Sequence, residues 1–142
     1  MDRLDVAISD PSVALREVWA SALEAEGFTT GVVPHPVRSS STRRARVLVV
    51  GITDREHVHT VIEVCSAAAD EMVVCMVHQP DPGVVLQLLM AGAVGVLHRD
   101  IGGARLVAAV RAVMHGDIVL GGAELLAPLV YQNTAATPGR PV

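Results

Sequence analysis

The sequence predicts an α/β domain in which a parallel sheet is covered by helices on both faces. Three observations point there. Apolar runs of strand length alternate with stretches of helical periodicity. Val47-Leu48-Val49-Val50 is apolar throughout, as a central strand buried on both faces must be. Finally, 142 residues, 51% of them hydrophobic, suffice for one substantial core and leave no room for a second.

Leu4 to Ser9 reads as the first strand. Pro11 can sit in the first turn of the next helix with Ser9 or Asp10 as its cap, and Leu15, Val18, Trp19, Ala22 and Leu23 recur at helical spacing until Gly27. Thr29 to Val33 is a second short strand, followed by Pro34-His35-Pro36 and the polar run from Ser39 to Arg44. About a dozen residues separate this strand from Val47, so the second helix is shortened to a stub.

Thr53 or Asp54 can cap a helix running to about Ala69. Val73 to Val77 then makes a strand, Pro82 to Ala91 a helix, Gly95 to His98 a strand, and Gly103 to His115 a helix stopped by Gly116. Asp117 to Leu120 is a short extended piece, and Ala123 to Tyr131 adds a last helical turn or two. Residues 1–131 are expected as one domain, with Gln132 to Val142 a flexible tail or linker by composition.

A net charge of -4 leaves no basic footprint, and the arginines are scattered apart from Arg43, Arg44 and Arg46, which argues against direct nucleic-acid binding by this chain. All eleven cations are arginines, so lysine-dependent chemistry (phosphate-loop, Schiff-base or general-base) is impossible. No apolar run reaches bilayer length and no signal segment follows Met1; a cytoplasmic protein without a membrane partner is expected. Cys65 and Cys75 have no metal-like spacing and read as buried thiols in a reducing compartment.

Several strings resemble bacterial response-regulator receiver domains. The segment from Asp81 to Asp100, with Ala91-Gly92-Ala93-Val94-Gly95-Val96-Leu97-His98-Arg99-Asp100, is similar to that family's A-G-A-x-G-Y-L-x-K-D stretch. Leu106 to Val113, Gly116 to Leu120, Ile8-Ser9-Asp10 and Leu15-Arg16-Glu17 look like the branch with LuxR/NarL-type helix-turn-helix output. The resemblance covers about residues 4 to 130. It implies the flavodoxin-like (CheY-like) fold with five strands in the order 2-1-3-4-5, and an output domain after residue 142 or a stand-alone adaptor.

The family's switch requires two acidic residues after the first strand to hold Mg²⁺, an acceptor aspartate after the third, a hydroxyl after the fourth and a lysine after the fifth. At the matching positions this chain keeps only Asp10. Pro11 replaces the second acid, Gly51 the acceptor, Val77 the hydroxyl, Arg99 the lysine and Val96 the aromatic readout. One carboxylate does not hold a hydrated Mg²⁺ tightly, and glycine offers no oxygen to a phosphoryl group. No metal and no cofactor are therefore expected. Asp54, three residues beyond Gly51, reads as a helix cap, not as a displaced acceptor.

Asp10 and Arg99 both fall at the carboxyl ends of strands, where this fold class binds ligands. Two roles are open: a direct Asp10–Arg99 ion pair in place of the metal, or Asp10 as a helix cap with Arg99 along the surface. His57 and His59 diverge on a helix, and His78 and His98 end strands on the functional face without a third ligand nearby in sequence. Ordinary solvent-exposed loop histidines are the plainer reading of the last two.

The Pro82–Ala91 helix is apolar almost all round, with only Gln87 polar, which suggests a partner surface at Leu86, Leu89 and Met90. Arg105, Ala108, Ala109 and Ala112 form a small-residue face on the next helix. The resulting expectation is a phosphorylation-independent receiver in signal transduction and transcriptional regulation, acting as a homodimer or with another response regulator. The alternative is metabolite sensing in the vacated pocket around Gly51, Val77 and His78. No constellation supports an enzyme.

Overall fold

Alternate residues of the strand Ala45–Ile52 point to opposite faces of the sheet, and each face closes a separate core. Val47 and Val49 join Trp19, Leu23, Leu106, Val110 and Val113 on one side. Leu48, Val50 and Ile52 join Val58, Val61, Val64, Val85 and Leu88 on the other. Each such fully buried aliphatic side chain contributes roughly 1.5–3 kcal/mol. A strand serving two cores has no polar face to show, which is why its sequence does not alternate.

The computed structural model describes residues 3–37, 45–67 and 70–121. The elements are β1 (Leu4–Ser9), α1 (Val13–Ala25), β2 (Thr30–Val32), β3 (Ala45–Ile52), α2 (Arg55–Ala67), β4 (Met72–Val77), α3 (Pro82–Ala91), β5 (Gly95–His98), α4 (Gly103–Met114) and β6 (Val119–Leu120). All strands pair in parallel, in the order β2-β1-β3-β4-β5-β6. The expected α/β fold and the order of its first five strands are both present. A sixth strand extends the sheet beyond expectation: the Val119 amide donates to the Val94 carbonyl and the Gly121 amide to Val96, both at 2.9 Å.

Among the described residues no helix occurs between β2 and β3. The helical turn expected over Ala123–Tyr131, the tail from Gln132 and the Arg43-Arg44 pair lie outside the described residues. Among those described, no helix is long and apolar enough to cross a membrane.

Helix boundaries follow local chemistry. Ser12, not Asp10 or Ser9, caps α1: its hydroxyl accepts from the Leu15 amide at 3.2 Å, and Pro11 lies exposed just outside the helix. Asp54 Oδ1 accepts from the His57 amide at 2.8 Å at the start of α2, as expected of a cap. Asp81 does the same for Val84 at 3.0 Å, and Gly92 ends α3 in the left-handed region at φ 114°. Cys65 and Cys75 are both buried in the α2/α3 core.

Helices α1 and α4 share one face of the sheet. A Cβ at Gly103 would stand 2.6 Å from Ala22 Cβ, so glycine permits the close approach of the two helices. Ala109 is 4% exposed in this same core, which removes it from the expected outer face. Alanine spacing on α4 marks contact with α1 as much as a partner surface. Arg105 and Ala108 are exposed, and Ala112 is half-buried.

Candidate functional site

Asp10 follows β1 and Arg99 follows β5, at the carboxyl edge of the sheet. Two strands lie between them, so at the usual strand spacing the residues start about 14 Å apart. Both side chains lean inward over the ends of β3 and β4 and meet. Arg99 Nε donates to Asp10 Oδ1 at 2.9 Å and Nη2 to Oδ2 at 2.6 Å, a bidentate fork. The carboxylate is fully buried and the Arg99 side chain is 13% exposed.

Three further contacts fix this arrangement. The Ser12 amide donates to Asp10 Oδ2 at 2.8 Å, Arg16 Nη1 donates to the Asp10 carbonyl at 2.7 Å, and the Arg99 amide donates to the Val77 carbonyl at 2.9 Å. Donating to the Asp10 carboxylate holds the Arg99 guanidinium even more firmly protonated than usual. Asp10 thus pairs with Arg99 and leaves the helix cap to Ser12.

Gly51 makes the lean of Asp10 possible. A Cβ built at residue 51 would stand 2.7 Å from Asp10 Cγ and overlap Oδ1 outright. The space that a side chain at residue 51 would fill is occupied by the Asp10 carboxylate. The expected vacated pocket is accordingly filled at its centre. Val77 is buried and faces the α2/α3 core, Val96 is fully buried, Pro11 is exposed, and His78 is exposed with its amide bonded to the Ile52 carbonyl at 3.0 Å.

A Mg²⁺ ion does not fit these residues. Among the described residues Asp10 is the carboxylate at the centre; it is already held by a guanidinium fork, and its neighbour is proline. Among the described residues no three His, Cys, Asp or Glu side chains converge as a metal set. A cleft of about 260 Å³ lies elsewhere, between α2 and α3, lined by Arg55, Val58, His59, Asp81, Val84 and Gln87 among others.

Two histidines belong to the site that the sequence reading did not place there. His57, in the first turn of α2, is 4% exposed, and its ring meets that of His35 edge to face at 4.5 Å between centroids. His57 Nδ1 and Nε2 and His35 Nδ1 are buried without a hydrogen-bond partner. The Gly51 carbonyl lies near the His57 ring but outside hydrogen-bonding geometry. Burial pushes His57 below its ordinary value, helped by repulsion from His35, and Asp54 and Asp10 oppose this. Burial likewise lowers His35, with Asp10 and Asp54 raising it and Arg99 and Arg16 lowering it.

A signal for His57 was available in the sequence. It stands four, seven and eight residues before Val61, Val64 and Cys65, on the apolar stripe of α2, while His59 points away and is exposed. His35 carried no comparable signal. Its segment is tied down by the Ser9 hydroxyl, which donates to the Pro34 carbonyl at 2.9 Å.

No protein-family profile matches the sequence, and no curated protein does. Solved structures do. A LuxR-family two-component response regulator from Aurantimonas sp. SI85-9A1 superposes with a TM-score of 0.70 at 13% identity, over 94% of this chain and 99% of that one. A CheY-like response regulator receiver domain protein from Methanospirillum hungatei JF-1 gives 0.68 at 12% identity, over 81% and 96%. The RcsB response regulator of Salmonella typhimurium gives 0.69 at 16% identity, over 96% of this chain and 69% of that one. At such identities the likeness establishes the receiver-type fold.

Proposed function

We propose that this chain is an atypical receiver domain, of the branch with LuxR/NarL-type output, that works in bacterial signal transduction and transcriptional regulation without accepting a phosphoryl group. One observation carries the reading: the Asp10 carboxylate, forked by Arg99, fills the space beside Gly51 where an acceptor side chain would stand. In a receiver that switches, an acidic cluster waits for a metal and a phosphoryl group. Here a protein cation neutralises the remaining acid, and the loops at the carboxyl edge are tied together without a ligand.

A domain with this edge fixed acts through its surfaces. Met90 is 85% exposed, Leu86 40% and Ile118 68%, apolar side chains that a partner would cover. The partner is a second copy of this chain or another response regulator, and the setting is the cytoplasm. Incubation with Mg²⁺ and acetyl phosphate, read by intact mass, tests the first half of the proposal. An unchanged mass is expected, and a gain of one phosphoryl group sinks it. Sedimentation across protein concentration tests the second, with concentration-dependent dimers expected.

A further inference from the structure

The contact of the buried His57 ring with His35 has no part in the Asp10–Arg99 ion pair itself. Nothing in the Asp10–Arg99 fork needs an imidazole, yet both nitrogens of the His57 ring and Nδ1 of His35 are buried there without a hydrogen-bond partner. A phenylalanine in place of His57 would fill an apolar face beside Val58 and Val61 with no unmet polar atoms. The pair is instead suited to respond to protons.

We propose that the His35–His57 pair is a proton-operated release for the Asp10–Arg99 lock, so that acidification supplies the input that a phosphoryl group supplies elsewhere in this fold. The inference rests on the reading of the domain as phosphorylation-independent, and gives that same site its regulation.

The geometry supplies each step. His57 lies against His35 and near the Gly51 carbonyl, and the Asp10 carboxylate occupies the Cβ position of that same glycine. The groups facing the two rings are Asp10 at the end of β1, Arg16 from α1, Asp54 ahead of α2 and Arg99 at the end of β5. A proton on His57 places a buried cation against the His35 ring. At His35 burial opposes the proton most, Asp10 and Asp54 favour it, and Arg99 and Arg16 add repulsion. Exposed Asp54 is the nearest free acid, and it is also the cap of α2 through the His57 amide. His57 reaches it by leaving its slot, which loosens the first turn of α2 and the Pro34–Val37 segment beside Asp10.

The sign follows from burial. The closed state holds both rings neutral below the ordinary imidazole value of 6.5, so an opened state takes up protons that the closed state refuses. Opening is therefore insensitive to pH above 6.5 and increases up to about tenfold per pH unit per histidine below it.

Histidine ring resonances and amide protection factors of the intact protein, titrated from pH 8 to pH 5, provide the test. His57 is expected to titrate below 6.5. Between pH 6.5 and the pH at which His57 itself gains its proton, the Ser12 amide, which donates to Asp10, should lose protection by up to about tenfold per pH unit, while Val49 in β3 stays the better protected of the two. In His57→Phe the Ser12 amide should lose that pH response, and His59→Phe should keep it.

His57 titrating near 6.5, an unaltered Ser12 response in His57→Phe, or equal protection of Ser12 and Val49 throughout would overturn the proposal. The titration of the unsubstituted protein decides the matter if His57→Phe does not fold. Phosphoryl uptake with an intact acid response would fail the functional reading alone, and absence of both would fail this inference alone.

Discussion

The Asp10 carboxylate occupies the position that the side chain of residue 51 would need, so aspartate and glycine at these two places form a single structural unit. Arg99 completes it from two strands away, with contacts of 2.9 and 2.6 Å. Glycine at 51 lets the acid lean over β3, and the lean brings it within reach of the guanidinium.

Loss of either partner should be costly, because the other is left as an uncompensated charge. Asp10 is fully buried. Arg99→Ala and Asp10→Ala are each expected to lower unfolding stability by about 3–5 kcal/mol in urea denaturation. The double substitution should cost clearly less than the sum of the two. Additive losses would mean that the fork contributes no coupling and that each side chain acts through its other contacts.

Gly51→Ala tests the packing half of the same unit. Its methyl group overlaps Asp10 Oδ1, so the carboxylate must retreat or the strand end must shift, at a cost of about 1–3 kcal/mol. Gly51→Asp adds a second charge at the same point and should destabilise further while still gaining no mass from acetyl phosphate and Mg²⁺. A stable, phosphorylated Gly51→Asp protein would show that the Asp10–Arg99 pair yields readily and does not lock the site.

The sheet was legible because its determinants are local and repeated. An unbroken apolar β3, an Asp81 cap with Pro82 at the helix start, and Gly92 at a helix end each carry their own signal. The losses at Gly51, Val77 and Val96 could likewise be seen position by position. Whether Asp10 would cap α1 or pair with Arg99 could not, since that choice depends on a contact 89 residues away and on the room that Gly51 leaves. Ala109 was misassigned for a similar reason: small residues on α4 fit a partner helix and α1 equally well, and only packing distinguishes them. Two-residue β6 has too little sequence to declare itself apart from a turn.

Stability should also fall in mild acid because of His57. Burial, followed by repulsion from His35, lowers its value, so above pH 6.5 the native and unfolded chains are both neutral there and no pH dependence arises from it. Below 6.5 the unfolded chain binds a proton that the native protein refuses. Stability is then lost at up to about 1.4 kcal/mol per pH unit until the native ring titrates. Urea midpoints at pH 8 and pH 5.5 should differ more for the unsubstituted protein than for His57→Phe. Equal differences would assign the acid sensitivity to other groups.

The association surface can be tested without disturbing the core if residues are chosen by exposure. Leu89 lies half-buried against the α2/α3 core, so a charge there would confuse loss of a partner with loss of folding. Met90 is 85% exposed, and Ala108 on α4 is exposed as well. Met90→Asp and Ala108→Glu should each leave the urea midpoint within about 0.5 kcal/mol of the parent, as surface changes usually do. If these helices meet a partner, at least one of the two should raise the dimer dissociation constant tenfold or more in sedimentation, because the charge must be desolvated in the contact. Dimers that persist unchanged with both substitutions would move the interface away from α3 and α4, leaving exposed Val13 and Val18 on α1 as the next surface to probe.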